Sequence, residues 1–110
     1  MKILSGRYRG RNIKTSLNLG YRPTKSIVRK SLFDKLMPFD KKTVLDLFSG
    51  TGIMGFEAIS RGACSVTFVE NNRTILKILK KNAEELLDND YYIYNLDVFR
   101  FLKNANLYDF

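Results

Sequence analysis

The 110-residue sequence contains no histidine, no tryptophan and a single cysteine. One cysteine cannot build a disulfide framework, and the lack of histidine argues against a zinc site and excludes histidine-based acid–base catalysis. No apolar run approaches the roughly 18 residues that a membrane span requires. Residues 1–7 become basic after two apolar positions, unlike a signal peptide. We therefore expect one small cytoplasmic protein without a membrane partner or a metal.

The net charge of +8 is unevenly distributed. Residues 1–42 contain 12 Lys and Arg against two acids, a net charge of +10, whereas residues 43–110 have a net charge of −2. A merely solvated surface would be served better by charges of mixed sign. The basic cluster therefore indicates a polyanionic partner, and we expect a nucleic acid.

Residues 43–58 read TVLDLFSGTGIMGFEA, an apolar run followed by a glycine loop that opens a helix. A second apolar run ends at Glu70. This pattern is typical of a nucleoside-cofactor pocket at the carboxyl ends of parallel strands. Residues 50–55 match the dinucleotide fingerprint, and Glu70 follows at the expected offset of about 20 residues.

The charges around this loop favour S-adenosylmethionine over NAD. A pyrophosphate needs a positive cradle at the helix N-terminus. Asp46 and Glu57 instead surround the loop with carboxylates, which suit the sulfonium and ammonium groups of the methyl donor. Glycines allow the backbone to approach the ligand closely. Glu70 can accept both ribose hydroxyls through charge-assisted hydrogen bonds.

A third contact is predicted just after the third strand. Asp97 can accept a hydrogen bond from the adenine amino group, and Val98 can pack on the ring. Each acid also has a structural alternative. Asp97 can cap the following helix, Glu70 can be a solvated strand-end acid, and Asp46 can anchor the loop.

The pattern of elements predicts an α/β fold with a parallel sheet. We expect strands at 43–48, 65–69 and 91–95, helices at 53–60, 72–88 and 98–103, and the start of a fourth strand at 107–110. Cys64, at the start of the second strand, is expected to be a small buried thiol. An unpaired edge on strand 43–48 would invite self-association.

The first 42 residues predict a basic hairpin and a helix. Short strands at 2–4 and 11–15 flank a turn from which Arg7, Tyr8, Arg9 and Arg11 would project. Arginine pairs with phosphate, and tyrosine can stack on an unpaired base. Arg22, Pro23 and Thr24 open a helix that Pro38 ends, with an apolar stripe formed by Ile27, Val28, Leu32 and Leu36. Arg29 and Lys30 lie away from much of that stripe, where they either face the substrate or are simply solvated.

The sequence resembles the bacterial 16S ribosomal RNA guanine-N2 methyltransferases of the RsmD type over nearly its whole length. The matching segments are Gly6–Arg11, Arg22–Thr24, Val28-Arg29, Leu32-Phe33, Asp46–Gly52, Gly55–Ala58, Ser60–Ala63 and Val69-Glu70. Lys30 and Ser5 depart from the family's usual acidic residue and glycine. The nearest rival is a DNA or RNA adenine-N6 methyltransferase, and a non-catalytic module that binds S-adenosylmethionine or RNA is a further alternative.

The resemblance implies a Rossmann-like class I methyltransferase fold, with residues 1–42 binding RNA and residues 43–110 binding the methyl donor. Its substrate would be 16S ribosomal RNA, free or in a small-subunit particle, methylated on the exocyclic N2 of a guanine. The implied donor-binding residues are Asp46, Phe48, Ser49, Gly50, Thr51, Gly52, Glu70, Asn71, Asp97 and Val98. The implied RNA-binding residues are Arg7, Tyr8, Arg9, Arg11, Arg22, Thr24 and Arg29.

The family's catalytic segment, Asn/Asp-Pro-Pro-Tyr/Phe at the end of the fourth strand, does not occur in this sequence. Residues 108–110 resemble only the approach to it. In such sites the acid or amide and a backbone carbonyl orient the target amine, and the aromatic residue stacks on the flipped base. We therefore assign no catalytic residue.

Overall fold

Three parallel strands form the sheet in the order β1-β2-β3. A computed structural model describes residues 1–15, 26–47, 49–86 and 91–103. The strands are β1 (Thr43–Asp46), β2 (Ser65–Val69) and β3 (Tyr91–Tyr94). In register, Asp46 lies beside Phe68, and Phe68 lies beside Ile93. The predicted parallel α/β sheet is confirmed, and the expected fourth strand falls outside the described residues.

Four helices accompany the sheet: α1 (Ser26–Leu36), α2 (Ile53–Ser60), α3 (Arg73–Leu86) and α4 (Val98–Leu102). Asn72 caps α3, since its Oδ1 accepts from the backbone N–H groups of Thr74 and Ile75, both at 3.1 Å. Among the described helices, none has both the length and the apolar character needed to cross a bilayer. The bounds of α2 and β2 are those predicted, whereas β1 ends two residues early because the chain turns at Leu47.

The core is formed where α2 packs on β1 and β2. The rings of Phe56 on α2 and Phe68 on β2 are 5.1 Å apart. Ile3, Ile13 and Phe33 belong to the same cluster of buried residues. The basic N-terminal region therefore shares its hydrophobic core with the sheet.

The predicted hairpin is reduced to one antiparallel bridge between Lys2 and Asn12. Three backbone hydrogen bonds support it, from Ile3 N to the Arg11 carbonyl (3.0 Å), from Ile13 N to the Met1 carbonyl (2.6 Å) and from Gly10 N to the Ile3 carbonyl (2.9 Å). Gly6 has a φ of +88°, and a Cβ there would lie 1.8 Å from the carbonyl oxygen of Ser60. Only glycine allows the turn to approach α2 this closely.

Two burial patterns differ from the predictions. On α1 the apolar stripe is on the outside, with Ile27 77% exposed, whereas Arg29 is 1% exposed. Phe33 occupies the buried side of this helix and contacts Phe39, with ring centroids 5.4 Å apart. Cys64 is exposed rather than buried. It lies in the turn before β2, where its backbone N–H donates to the Lys42 carbonyl (2.8 Å).

Candidate cofactor site and nucleic-acid interface

The glycine loop between β1 and α2 is tied to the end of β2 by Ser49. The hydroxyl of Ser49 donates to the Asp46 carbonyl (2.7 Å) and accepts from Val69 N (3.0 Å). Gly52 forms the N-cap of α2 with a φ of 97°, and a Cβ there would lie 2.5 Å from the ring of Phe56. The loop therefore needs glycine at this position and presents its backbone at the carboxyl ends of β1 and β2.

Glu70 lies beside this loop, as predicted, and holds it directly. Its Oε1 accepts from Gly50 N (2.9 Å), and its Oε2 accepts from Asn71 N (3.1 Å) and Asn72 N (2.9 Å). A carboxylate offers about four lone-pair sites, so three are already used. Acceptance of two ribose hydroxyls would therefore require release of at least one backbone donor.

A cleft brings the ends of the three strands together. Its lining residues are Leu47, Val69, Glu70, Asn71, Leu96, Asp97 and Val98. Four of these were predicted from the sequence to bind the donor. Among these described residues, two are acids and none carries a basic side chain. A pyrophosphate would meet carboxylates here, whereas hydroxyl and amino donors would find acceptors.

Asp97 occupies the N-cap of α4, where its Oδ2 accepts from Arg100 N (3.3 Å). The structural alternative named for this residue is thus confirmed. The residue is exposed and also lines the cleft, and its Oδ1 is not the atom used for the cap. Capping and recognition of an amino group are therefore compatible.

Asp46 combines a buried carboxyl with an incomplete set of hydrogen bonds. Burial raises the pKa of Asp46 to about 6; the backbone N–H of Gly55 opposes this shift and the charge of Glu70 adds to it. Among the described residues, nothing hydrogen-bonds to the buried Oδ2 of Asp46 or to the buried hydroxyl of Thr51. These unpaired acceptors near the loop suit a cationic amine.

Asp46 does not line the Glu70–Asp97 cleft. It lines a separate cavity of about 220 Å³ between β1 and α1, together with Leu32, Phe33, Leu36, Phe39, Val44, Leu45, Met54 and Gly55. The strand-end acids are thus divided between two cavities. Of the predicted acids, only Glu70 and Asp97 line the cleft itself.

Glu57 has a different role from the one predicted. It is fully buried and accepts from Leu4 N (2.8 Å), Ser5 N (3.1 Å) and the Nε of Arg61 (2.9 Å). The Nε of Arg29 lies 3.7 Å from its Oε1. Its charge is therefore compensated by two arginines and does not add to the negative field of the loop.

Arg29 also requires a correction. The sequence placed it among RNA-binding residues, but its Nη2 donates to the Lys2 carbonyl (2.6 Å) and its guanidinium lies beside Glu57 inside the protein. Burial leaves it unable to reach an external phosphate. Its role is to attach α1 to the N-terminal segment, residues 1–15.

The other predicted RNA-binding residues are distributed as follows. Arg7, Arg9 and Arg11 are exposed, and Tyr8 is half-buried against the core cluster. The Arg7 guanidinium carbon lies 4.8 Å from the centroid of the Tyr8 ring. Arg22 and Thr24, like Phe48 of the donor set, fall outside the described residues.

Sequence reasoning missed two buried polar residues that hold the N-terminal segment. The hydroxyl of Ser60 donates to the Ser5 carbonyl (2.6 Å) and accepts from Tyr8 N (2.9 Å). Asn82 on α3 hydrogen-bonds to the backbone of Lys14. For Asn82, a polar residue between the apolar positions Leu79 and Ala83 of the helix was the available signal.

A family model described as "Conserved hypothetical protein 95" matches residues 1–108. The chain is 42% identical over 87 residues to Ribosomal RNA small subunit methyltransferase D of Haemophilus influenzae, covering 78% of this chain and 45% of that protein. It is 35% identical over 103 residues to the protein of the same name from Escherichia coli K12, covering 93% and 52%. The chain thus spans about half the length of the curated relatives that it matches.

Solved structures show the same fold. A putative methyltransferase from Escherichia coli superposes with a TM-score of 0.83 at 31% identity, covering 93% of this chain and 55% of that one. A hypothetical protein of Thermus thermophilus gives a TM-score of 0.84 at 32% identity, covering 96% and 60%. The Rossmann-like class I methyltransferase fold expected from the sequence is confirmed.

Proposed function

This chain belongs to the RsmD-type family described as conserved hypothetical protein 95, and on that basis we propose that it binds S-adenosylmethionine and 16S ribosomal RNA for methyl transfer to the exocyclic N2 of a guanine. The observation that carries the proposal is the cleft at the strand ends, whose described lining includes Glu70 and Asp97 and no basic side chain. It suits a nucleoside that carries positive charge. It does not suit a pyrophosphate.

The donor is assigned to residues around the loop and the cleft. Glu70 holds the ribose, Asp97 receives the adenine amino group, and Val98 packs on the ring. The backbone of residues 49–52 and the side chain of Asn71 border the rest of the ligand. The ammonium group is assigned to Asp46, whose buried Oδ2 is unsatisfied. Because Asp46 lines the neighbouring cavity and not the cleft, this contact requires the glycine loop to shift when the donor binds. When bound, S-adenosylmethionine supplies an electrophilic methyl group on its sulfonium.

The RNA is assigned to the exposed turn of the N-terminal segment. Arg7, Arg9 and Arg11 neutralise phosphates, and Tyr8 with its neighbouring Arg7 offers a flat surface for a base. Residues 1–42 are thus the proposed RNA-binding part and residues 43–110 the proposed donor-binding part. The partner is 16S ribosomal RNA or a small-subunit particle, which places the protein in the cytoplasm.

No residue of this sequence is proposed as catalytic. Its two prolines are Pro23 and Pro38, so the family's Pro-Pro segment is not among these 110 residues. The contribution of the described residues is to bind the donor, fix the glycine loop and position the RNA.

The two binding sites can be separated by two variants. Glu70→Ala should weaken binding of S-adenosylhomocysteine by about 10- to 100-fold, since hydrogen bonds to a charged group contribute about 1.5–3 kcal/mol. It should leave RNA binding nearly unchanged. Glu70→Gln, which keeps an acceptor for Gly50 N, is the matched control and should lose less. Calorimetric titration measures both.

The triple variant Arg7→Ala, Arg9→Ala, Arg11→Ala should show the converse behaviour. RNA affinity should fall. A plot of log affinity against log salt concentration should become less steep by about 2, because each of the three phosphate contacts contributes about 0.7–0.9 to its steepness. Fluorescence anisotropy with a labelled RNA stem-loop at several salt concentrations measures the slope. Equal loss of both ligands in both sets of variants would contradict the two-site assignment.

A methyl-transfer assay on small-subunit particles tests catalytic competence. With this chain alone we expect no turnover, because no residue clamps the target amine. A chain extended by an Asn/Asp-Pro-Pro-aromatic segment and its strands should be active. Turnover by the 110-residue chain would overturn this part of the proposal.

A further inference from the structure

Asn82 connects the glycine loop to the basic N-terminal segment. It lies on α3 and is 3% exposed. Its Oδ1 accepts from Lys14 N (3.1 Å), and its Nδ2 donates to the Lys14 carbonyl (3.0 Å) and to the Thr51 carbonyl (3.0 Å). Both amide hydrogens of this one side chain are therefore used, one on each segment.

We propose that Asn82 is a positioning residue that couples the two segments, so that donor binding and RNA binding strengthen each other. The inference rests on the proposed function, because it assigns the donor to the loop and the RNA to the segment. Lys14 follows Arg11 by three residues, and Thr51 lies between the two glycines of the loop. No other described side chain is shown hydrogen-bonding to both segments.

The coupling follows from the geometry of a planar amide. A shift of Lys14 rotates or displaces the Asn82 amide, and the Thr51 carbonyl then loses its donor. A buried backbone carbonyl without a partner is unfavourable, so the two segments prefer to be in place together. RNA that holds the N-terminal segment in position thereby holds the loop in its donor-binding shape.

Ser60 provides a matched comparison. It holds the same N-terminal segment through Ser5 and Tyr8, and none of its described hydrogen bonds reaches the glycine loop. A purely structural role for Asn82 predicts that Asn82→Ala and Ser60→Ala behave alike. The proposed coupling predicts that they differ at the loop.

Amide hydrogen exchange in the ligand-free chain tests this difference first. In Asn82→Ala, exchange at the loop amide of Gly52 should become at least about fivefold faster, together with that of Lys14. In Ser60→Ala, exchange at Tyr8 should become faster and that of Gly52 should not change. Unchanged Gly52 exchange in a folded Asn82→Ala variant would overturn the proposal, and so would equal acceleration in Ser60→Ala.

A binding cycle then tests the functional consequence. S-adenosylhomocysteine is titrated by calorimetry with and without a saturating guanine-containing RNA stem-loop. The unmodified chain should show an increase in affinity of at least about fivefold. This RNA-dependent increase in affinity should nearly disappear in Asn82→Ala, where the ratio of the two affinities should be close to one. It should persist in Ser60→Ala, even though that variant binds RNA more weakly.

The outcomes separate the inference from the proposed function. If the unmodified chain binds both ligands without mutual enhancement, the coupling is refuted and the function stands. If it binds neither ligand, the proposed function fails, and the coupling of the two ligands fails with it. The exchange rates still report whether Asn82 links loop and segment.

Discussion

The helices that precede and follow β1 in the chain use their apolar residues in opposite ways. On α2, Phe56 and Ile59 are at most 1% exposed, whereas on α1 Ile27 is 77% and Val28 is 54% exposed. Helical periodicity is present in both sequences. The comparison shows that periodicity identifies a helix and its apolar stripe, while the partners available in the fold decide which face is buried.

On α1 the buried face is chosen by a charge cluster and a ring contact. Arg29 lies near Glu57 on α2, and four residues later Phe33 contacts Phe39. Arg61 connects this buried cluster to an exposed carboxylate, since its Nη1 lies 2.9 Å from Oδ1 of Asp34. Buried charges are tolerated only where they are paired. Pairing with α2 therefore orients α1 and leaves its apolar stripe outward.

The largest difference between the helices is expected for apolar truncations. Phe56→Ala should lower the free energy of unfolding by about 3–5 kcal/mol, because it opens a cavity against Phe68. Ile27→Ala should change it by less than about 0.5 kcal/mol, as for other surface positions. Urea denaturation followed by circular dichroism measures both. Similar losses would show that the outer stripe of α1 is packed in solution.

The charge cluster should be the next most sensitive feature. Glu57→Ala leaves two buried arginines without their shared carboxylate, so we expect a loss of about 3 kcal/mol. Asp34→Ala removes an exposed carboxylate from the same Arg61 and serves as the control. Hydrogen bonds from Lys30 and Arg61 lower the pKa of Asp34, but solvent screens that interaction. The urea midpoint should therefore move far less than in Glu57→Ala.

The pH dependence of stability sharpens the account of β1. The pKa of Asp46 is raised to about 6 from 3.8, so the folded chain binds more protons between these values than the unfolded chain. The stabilising contribution is present below about pH 4 and is lost as the pH rises through about 6. We expect a loss on the order of 2 kcal/mol across this window.

Asp46→Asn should remove that dependence. Urea unfolding of the two proteins at pH 4, 5, 6 and 7 gives the comparison. The donor should respond in the opposite direction, since its ammonium prefers a charged Asp46, and affinity should rise with pH through about 6. A flat stability profile in the unmodified chain would contradict the assigned environment of Asp46.

The smallest effect concerns the edge of β1 and the exposed apolar stripe of α1. Among the described strands β1 has one neighbour, β2, and Ile27 and Leu32 are exposed on α1 nearby. We propose that the chain self-associates through the edge of β1 opposite β2, where no strand lies among the described residues. Ile27→Lys with Leu32→Lys should shift light scattering toward monomer with little change in the urea midpoint. A monodisperse monomer that unfolds cooperatively, without substitutions, would contradict this proposal.

The local features of this fold could be predicted from the sequence, because they depend on neighbours in the chain. The bounds of α2 and β2, the glycine loop and the position of Glu70 beside it were all predicted. Each follows from periodicity or from a motif of about 20 residues.

Features that depend on distant residues could not be predicted in this way. The contacts of Glu57 with Leu4 and Ser5 span 53 and 52 residues, and that of Asn82 with Lys14 spans 68. The burial of Arg29 depends on the same residue, because its guanidinium pairs with the buried carboxylate of Glu57. Spacing within a helix gives only the Glu57–Arg61 pair at i and i+4.

A set of separate ligand titrations addresses the central claim most directly. S-adenosylmethionine, S-adenosylhomocysteine and NAD are titrated separately into the chain at pH 7.5, with Glu70→Ala alongside. We predict saturable binding of the first two, heat too small to fit for NAD, and loss of affinity in the variant. Tight uptake of NAD with indifference to S-adenosylmethionine and its demethylated product would contradict the account.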